Sequence, residues 1–337
     1  MRRGAIAGLA QVGWGVSFFP SVRLHVVTGK GGTGKTTVAA ALALALAAEG
    51  RRVLLVEVEK RQGFAGLFNV APLGYEERRV ATVDRGEVIA LSVDPEEALL
   101  EYLELFYNLG RAGRLLRKLG AIDFATTVAP GLRDVLLIGK VKEAVGRKRG
   151  GAQVYDAVVL DAPPTGRIVR FLNVSDEVAG LAKAGPIRHQ ADGVMALLHS
   201  PRTAVHIVTL LEDMPVQETL DGITALRATE LPVGAILVNM VREQHFADAA
   251  LALAARGSLD LADLRAGLNA AGLDVSARAV GVLAAEATEH AQRVALQVAE
   301  RAELEATGLP MYDLPLVAEQ IKLGTLRLLA DAISEQS

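Results

Sequence analysis

The sequence predicts an α/β fold: a mainly parallel sheet covered by helices on both faces, with helical insertions. Three observations carry this expectation. Apolar runs of strand length alternate with segments of helical periodicity along most of the 337 residues. Those runs are apolar at successive positions, as strands buried on both faces are. A glycine-rich stretch, Gly29-Lys30-Gly31-Gly32-Thr33-Gly34-Lys35-Thr36-Thr37, joins the first such run to the first helical one. It fits G-x-x-x-x-G-K-[ST], a loop whose backbone amides cradle phosphates, so the fold expected is that of a P-loop NTPase.

Residues 23–27 read as a short buried strand, and residues 37–48 as a helix whose C-cap position is taken by Gly50. Residues 52–59 form the second strand, residues 60–87 are loop-rich, and residues 88–93 are the third strand. Asp94-Pro95-Glu96-Glu97 is a helix start, with an N-cap, a proline in the first turn and a glutamate completing a capping box. Leu99, Tyr102, Leu103, Phe106 and Leu109 then follow helical spacing. Further helix is expected at 111–119 and 131–146. Residues 154–161 are a strand that ends in the carboxylate of Asp161, and residues 167–200 are mainly helical. Residues 204–210 and 233–239 are two more core strands. Residues 214–229, about 243–306 and 317–334 are mostly helical. The alternation reads as a single domain, 21–337, with helical insertions near 95–146, 167–200 and 243–306. Residues 1–20 begin with a charge and continue apolar, in the manner of a signal peptide, but Gln11 and several glycines weaken the apolar stretch. They are expected to be a flexible N-terminal arm, or to reflect a start codon placed too early.

Composition narrows the function. The chain has no cysteine, which excludes disulfides, thiolate metal sites, iron–sulfur clusters and cysteine nucleophiles, and fits a reducing cytoplasm. Hydrophobic residues make up 51% of it, yet no run reaches the 18 or so apolar residues of a membrane span, so no direct membrane insertion is expected. The net charge is −3 with no basic block, so nucleic acid is not an expected partner. Six histidines are scattered without metal-ligand spacing.

The chemistry-bearing residues fall at the carboxyl ends of the predicted strands, where ligands bind in such folds. Lys35 is placed to reach the β- and γ-phosphates of a nucleotide, and the Thr36 hydroxyl to bind Mg²⁺. The loop positions Gly29, Gly31, Gly32, Thr33, Gly34 and Thr37 supply amides and turns around it. Asp161 follows an apolar strand, as an aspartate that supports Mg²⁺ should. Its tail, Ala162-Pro163-Pro164-Thr165-Gly166-Arg167, can take few shapes and suits a switch that senses the γ-phosphate. Glu59 and Asn239 also end strands.

The loop sequence K-G-G-T-G-K-T at 30–36 resembles the deviant Walker A motif of dimeric ATPases related to septum-positioning, plasmid-partitioning and arsenical-pump proteins. That resemblance implies that Lys30 crosses a dimer interface to the partner's nucleotide, much as an arginine finger does. In that class the second strand commonly ends in Asp-x-Asp, whose second aspartate orients the attacking water. Here Glu57-Val58-Glu59 stands in that place, so Glu59 is proposed to place the water and Glu57 to support it.

D-A-P-P-T-G-R at 161–167, Pro130-Gly131, Met214-Pro215-Val216-Gln217-Glu218-Thr219, Val238-Asn239 and Leu314-Pro315-Leu316 narrow the resemblance. It is closest to the arsenical-pump and tail-anchored-protein-targeting ATPases, and in wording to the actinobacterial anion-transporting-ATPase-like branch. It spans residues 22 to about 334. It implies a cytoplasmic, Mg²⁺-dependent ATPase that closes as a homodimer, or as a heterodimer with a paralogue. It also implies that Asn239 and Pro315 frame the adenine, and that hydrolysis is coupled to a protein client or membrane partner. The chain departs from the pattern in having no cysteine for arsenite or interfacial zinc, and in carrying Arg167 where histidine is common. A client groove would draw on helices in 95–146 and 167–200, with residues such as Phe106, Leu109, Leu115, Leu116, Val194, Met195, Leu197 and Leu198; core packing accounts for the same residues. Two other readings stand beside the clamp. One is a low-turnover nucleotide-binding scaffold in which Glu-x-Glu has replaced Asp-x-Asp. The other is a partitioning-type ATPase, against which the acidic end of the chain argues.

Overall fold

The computed structural model describes residues 19–58, 62–107, 130–173, 186–242 and 246–337. Most of the N-terminal arm expected at 1–20, the helix expected at 111–119, and Glu59 lie outside the described residues.

The fold is α/β, as the sequence predicts. In chain order its elements are β1 (Leu24–Gly29), α1 (Lys35–Ala48), β2 (Arg52–Glu57), α2 (Gly63–Leu67), β3 (Arg78–Val83), β4 (Gly86–Ser92) and α3 (Pro95–Tyr107). Then come α4 (Pro130–Gly146), a short hairpin of β5 (Lys148–Arg149) and β6 (Ala152–Gln153), β7 (Ala157–Asp161), α5 (Thr165–Leu172) and α6 (Pro186–Leu198). The chain continues with β8 (Thr203–Thr209), α7 (Asp213–Ala228), β9 (Val233–Val241), α8 (Asp248–Ala255), α9 (Leu261–Ala270), α10 (Ala277–Glu305), β10 (Met311–Pro315) and α11 (Leu323–Glu335).

Among the described residues eight strands form one sheet in the order β10-β9-β8-β1-β7-β2-β4-β3. Every pairing is parallel except that of β3 with β4. β7 is inserted between β1 and β2, in register with both: Val27 faces Asp161 on one side and Glu57 faces it on the other. Because the strands run the same way, the loop after β1 and the last residues of β2, β7, β8 and β9 share one edge of the sheet.

Strand alternation sorts the core into two layers. Leu24, Val26, Leu54, Val56, Leu160, Val205 and Ile207 pack with Val135, Ile138, Phe171, Val194, Leu198 and Ile223 of the covering helices. Val27, Val53, Leu55, Val159 and Val208 pack on the other face against α1, Phe64 and the C-terminal helix residues Leu326, Leu329 and Ile333. Every residue from Val38 through Ala47 is buried, which is why α1 has no polar face. Alternating alanine and leucine let it lie close beneath the sheet while α11 covers its other side.

The structure departs from expectation in several places. Residues 60–87 are not only loop, since they hold α2 and the edge strand β3. β3 reads Arg-Arg-Val-Ala-Thr-Val and is half exposed, so it lacks the apolar run that marks a central strand. No strand was expected at 311–315, where β10 forms and Pro315 closes it. The strand expected from 154 starts at Ala157, because the β5–β6 hairpin leads into it. Asp94 does cap α3, its Oδ1 accepting from the amides of Glu96 (2.7 Å) and Glu97 (3.3 Å). Val194, Leu197 and Leu198, weighed above for a client groove, are core residues. Residues 248–305 divide into three helices. α10 has 29 residues, about 43 Å at 1.5 Å per residue, and its end is tied to β10 by Arg301 on both oxygens of Asp313 (2.8 and 2.9 Å). Among the described residues no helix is long and apolar enough to cross a membrane.

Candidate functional site

The loop between β1 and α1 is shaped by two glycines that no other residue could replace. Gly29 (φ +151°) ends β1 so close to β8 that a Cβ there would lie 2.2 Å from the Val208 carbonyl oxygen. Gly34 (φ +88°) starts α1, and a Cβ on it would lie 2.4 Å from Asn239 Nδ2. That amide instead donates to the Thr33 carbonyl at 2.9 Å, so the end of β9 braces the loop from the side. Met240, next in β9, takes a left-handed φ of +58°, which turns the strand away immediately after the bracing residue. Thr33 Oγ1 and Lys35 Nζ both donate to the Lys30 carbonyl, at 2.9 and 3.3 Å. The first turn of α1 carries no side-chain cap, and an acidic residue is absent from it. Its amide ends therefore concentrate positive potential at the loop, beside a lysine only 7% exposed.

The acidic side of the site is equally specific. Thr36 Oγ1 donates to Asp161 Oδ2 at 2.7 Å, joining the helix start to the end of β7. Glu57, buried at the end of β2, accepts from the amides of Gln62 (3.1 Å) and Gly63 (2.9 Å) with separate oxygens. It thus holds the first amides of α2, which starts under its charge. Gly63 lets the start of α2 lie tight against the loop, since a Cβ there would lie 2.6 Å from Thr36 Cγ2.

The segment after Asp161 is tied back to β1. Ala162 N donates to the Val27 carbonyl (2.9 Å), and Thr28 Oγ1 to the Pro163 carbonyl (2.7 Å). Thr165 and Gly166 open α5, where the Arg167 amide bonds the Pro164 carbonyl at 2.8 Å. The Arg167 side chain lines a cavity of about 200 Å³ with Val58, Arg133, Asp134, Leu137, Pro163 and Phe171. Pro315 ends β10 and pairs with Val241, one strand beyond Asn239 on the same edge.

The structure therefore gathers Gly29 to Thr37, Glu57, Asp161, Pro163, Thr165 and Asn239 around one point, with Gly166, Arg167 and Pro315 at its margins. Sequence reasoning missed one residue as a member of the site. Glu218, on α7, has Oε2 3.7 Å from Lys30 Nζ and Oε1 2.5 Å from the Thr165 hydroxyl. Its available signal was its place in a helix that starts just past the carboxyl end of β8.

Beneath the loop, His25 Nδ1 and His206 Nε2 lie 3.1 Å apart. His206 Nδ1 accepts the Ala235 amide (3.2 Å), so in the neutral ring Nε2 carries the hydrogen and donates to His25. Burial pushes His206 down to about 3, and burial together with the neighbouring His206 puts His25 well below the usual range.

The family described as anion-transporting ATPase matches residues 22–200. The chain is 52% identical over 332 residues to ATPase BagA of Mycobacterium tuberculosis, covering 98% of this chain and 97% of that protein. It is 28% identical over 264 residues to an arsenical pump-driving ATPase of Acidiphilium multivorum, covering 72% of this chain and 44% of that one. It is 27% identical over 216 residues to ATPase GET3 of Podospora anserina, covering 62% and 58%.

Proposed function

The chain belongs to the anion-transporting ATPase family and is an ATP hydrolase, and we propose that its turnover closes and opens a cytoplasmic two-subunit clamp whose motion is passed to a protein partner. The observation that carries the site assignment is the 2.7 Å bond from the Thr36 hydroxyl to Asp161, made where a phosphate-cradling loop meets the strand ends. A hydroxyl and a carboxylate are hard oxygen donors, the set that suits Mg²⁺. Thr36 and Asp161 would hold such an ion, which would supply positive charge to offset that of the phosphates.

The residues divide the remaining work. Lys35 donates to the β- and γ-phosphate oxygens, and the amides from Gly29 to Thr37 hold the phosphates in line. Asn239 keeps the loop in the cradling shape by holding the Thr33 carbonyl. On the family resemblance, Asn239 and Pro315 also frame the adenine. Glu57, with both oxygens committed to backbone amides, is a support and not a base. Glu59 is assigned the attacking water. Lys30 acts across the subunit interface, where a cation stabilises the transferring phosphoryl group. Pro163, Thr165, Gly166 and Arg167 form the segment that moves with the γ-phosphate.

Phosphate release tests the assignment. Wild type should turn over ATP only with Mg²⁺, and chelation should stop it. Lys35→Ala and Asp161→Asn should each lower kcat by about 10²-fold or more. Retained turnover in either variant would move the chemistry elsewhere. If wild type binds ATP but turns over no faster than Glu59→Ala, the low-turnover scaffold is the correct description of this chain.

A further inference from the structure

Lys30, the residue that distinguishes this loop, is held by its own subunit. Its ammonium lies 3.7 Å from Glu218 Oε2, with the two side chains 28% and 32% exposed. The other carboxylate oxygen accepts the Thr165 hydroxyl at 2.5 Å. Thr165 is 6% exposed and opens α5 directly after the segment that carries Asp161. The sheet order explains the meeting. β8 is the neighbour of β1, so α7, which follows β8, starts at the edge where the phosphate loop sits. Gly222, one turn beyond Glu218, makes room for Thr165: a Cβ there would lie 3.3 Å from Thr165 Cγ2. A carboxylate and a phosphate oxygen are alternative partners for one ammonium, and two such anions repel each other when brought onto the same cation.

We propose that Glu218 is a positioning residue that competes with nucleotide phosphate for Lys30, keeping the lysine within its own subunit until phosphate takes it over. The proposal rests on the reading of Lys30 as a phosphate-directed lysine. It gives the exchange a second consequence. When Lys30 leaves, Glu218 keeps the Thr165 hydroxyl as its remaining partner, so the carboxylate carries news of the lysine to the segment beside Asp161.

The test is a double-mutant cycle on the full chain, read by binding of Mg²⁺ with the non-hydrolysable analogue adenylyl imidodiphosphate and by steady-state hydrolysis of ATP. Glu218→Gln keeps an oxygen for Thr165 and removes the charge that holds Lys30. It should bind the analogue about 3- to 10-fold more tightly, the range expected for loss of a half-exposed ion pair, and the gain should appear in KM rather than kcat. Glu218→Asp, which keeps the charge, should restore the wild-type constants. In a Lys30→Ala background Glu218→Gln should change nothing, because the competition is gone. Glu218→Ala should give the same sign if the glutamine variant folds poorly. Unchanged or weaker binding by Glu218→Gln, or tightening that persists without Lys30, would overturn the proposal while leaving the ATPase reading intact. Wild-type turnover by Lys30→Ala alone would instead remove the role of Lys30, and with it the competition.

Discussion

Asn239 shows how a single amide can set the shape of a phosphate loop. It ends β9, is 6% exposed, and spends its Nδ2 hydrogen on a backbone carbonyl of the loop. Asn239→Ala removes that bond and leaves the Thr33 carbonyl with one partner fewer in a buried place. We expect the loop to relax and nucleotide affinity to fall about 5- to 15-fold, the worth of one buried hydrogen bond, measured by titration with a fluorescent ATP analogue. Unaltered affinity would mean that Gly29 and Gly34 hold the loop unaided. At this scale much of the site was legible. G-x-x-x-x-G-K-T names its own residues, and an apolar strand that ends in aspartate names Asp161. Glu218 was not legible, because its meeting with Lys30 depends on which helix follows the strand beside β1, and spacing along the chain does not reveal strand order. Glu57 was legible as a supporting carboxylate but not in its partners, since the amides of Gln62 and Gly63 that occupy it open a short helix with no sequence mark.

Three elements, β1, β8 and β9, meet through the two buried histidines, and their meeting makes the fold sensitive to acid. Gly234 of β9 lies so near His206 that a Cβ there would be 2.7 Å from Cε1, so the strands close around the ring and exclude water. Both imidazoles are held neutral, His206 at about 3 and His25 well below its usual range. In the unfolded chain each takes up a proton near pH 6.5. Below that pH the unfolded state therefore binds more protons than the folded one, and stability is lost as pH falls. The stability is fully present above pH 6.5, and each histidine removes about 1.4 kcal/mol per pH unit below it. Between pH 7 and 5 the pair should cost roughly 4 kcal/mol on this basis. His206→Asn keeps an acceptor at the Nδ1 position for the Ala235 amide and cannot titrate. Urea melts at the two pH values should show its loss to be about half that of wild type, because carboxylate contributions are common to both proteins and cancel. An equal loss would place the acid sensitivity elsewhere. The strands that carry these histidines were read correctly because they are long and apolar. β3 and β10 were missed for the opposite reason. They lie at the two margins of the sheet, one with paired arginines and the other ending in proline, and neither shows the pattern of a strand buried on both faces.

For the whole molecule, the decisive matter is where the charge of Lys30 goes. The parallel strands bring the loop, Asp161, Glu57 and Asn239 to one edge, and Lys30 stands at that edge paired only with the partly exposed Glu218 among the described residues. A buried partner would have tied the lysine to the fold, whereas an ion pair open to water is worth about 1 kcal/mol or less and can be exchanged. Under the proposed clamp, nucleotide phosphates held by a second subunit would offer a denser negative charge and draw Lys30 across, making ATP part of the interface. The association expected is consequently nucleotide-dependent. Light scattering should show the average mass rising toward twice that of the chain when ATP and Mg²⁺ are present, and falling back as ATP is consumed. Lys30→Ala should bind nucleotide with Lys35 and the loop amides intact, yet lose both the shift in mass and at least about 10³-fold in turnover, as loss of a cation supplied in trans does. Mixing Lys30→Ala with Asp161→Asn separates trans from cis action. If Lys30 acts on the partner's nucleotide, mixed dimers hold one intact composite site and regain part of the activity that each variant lacks alone. If Lys30 acts within its own subunit, every site in the mixture has a defect and no activity returns. That outcome would leave an ATPase without a clamp.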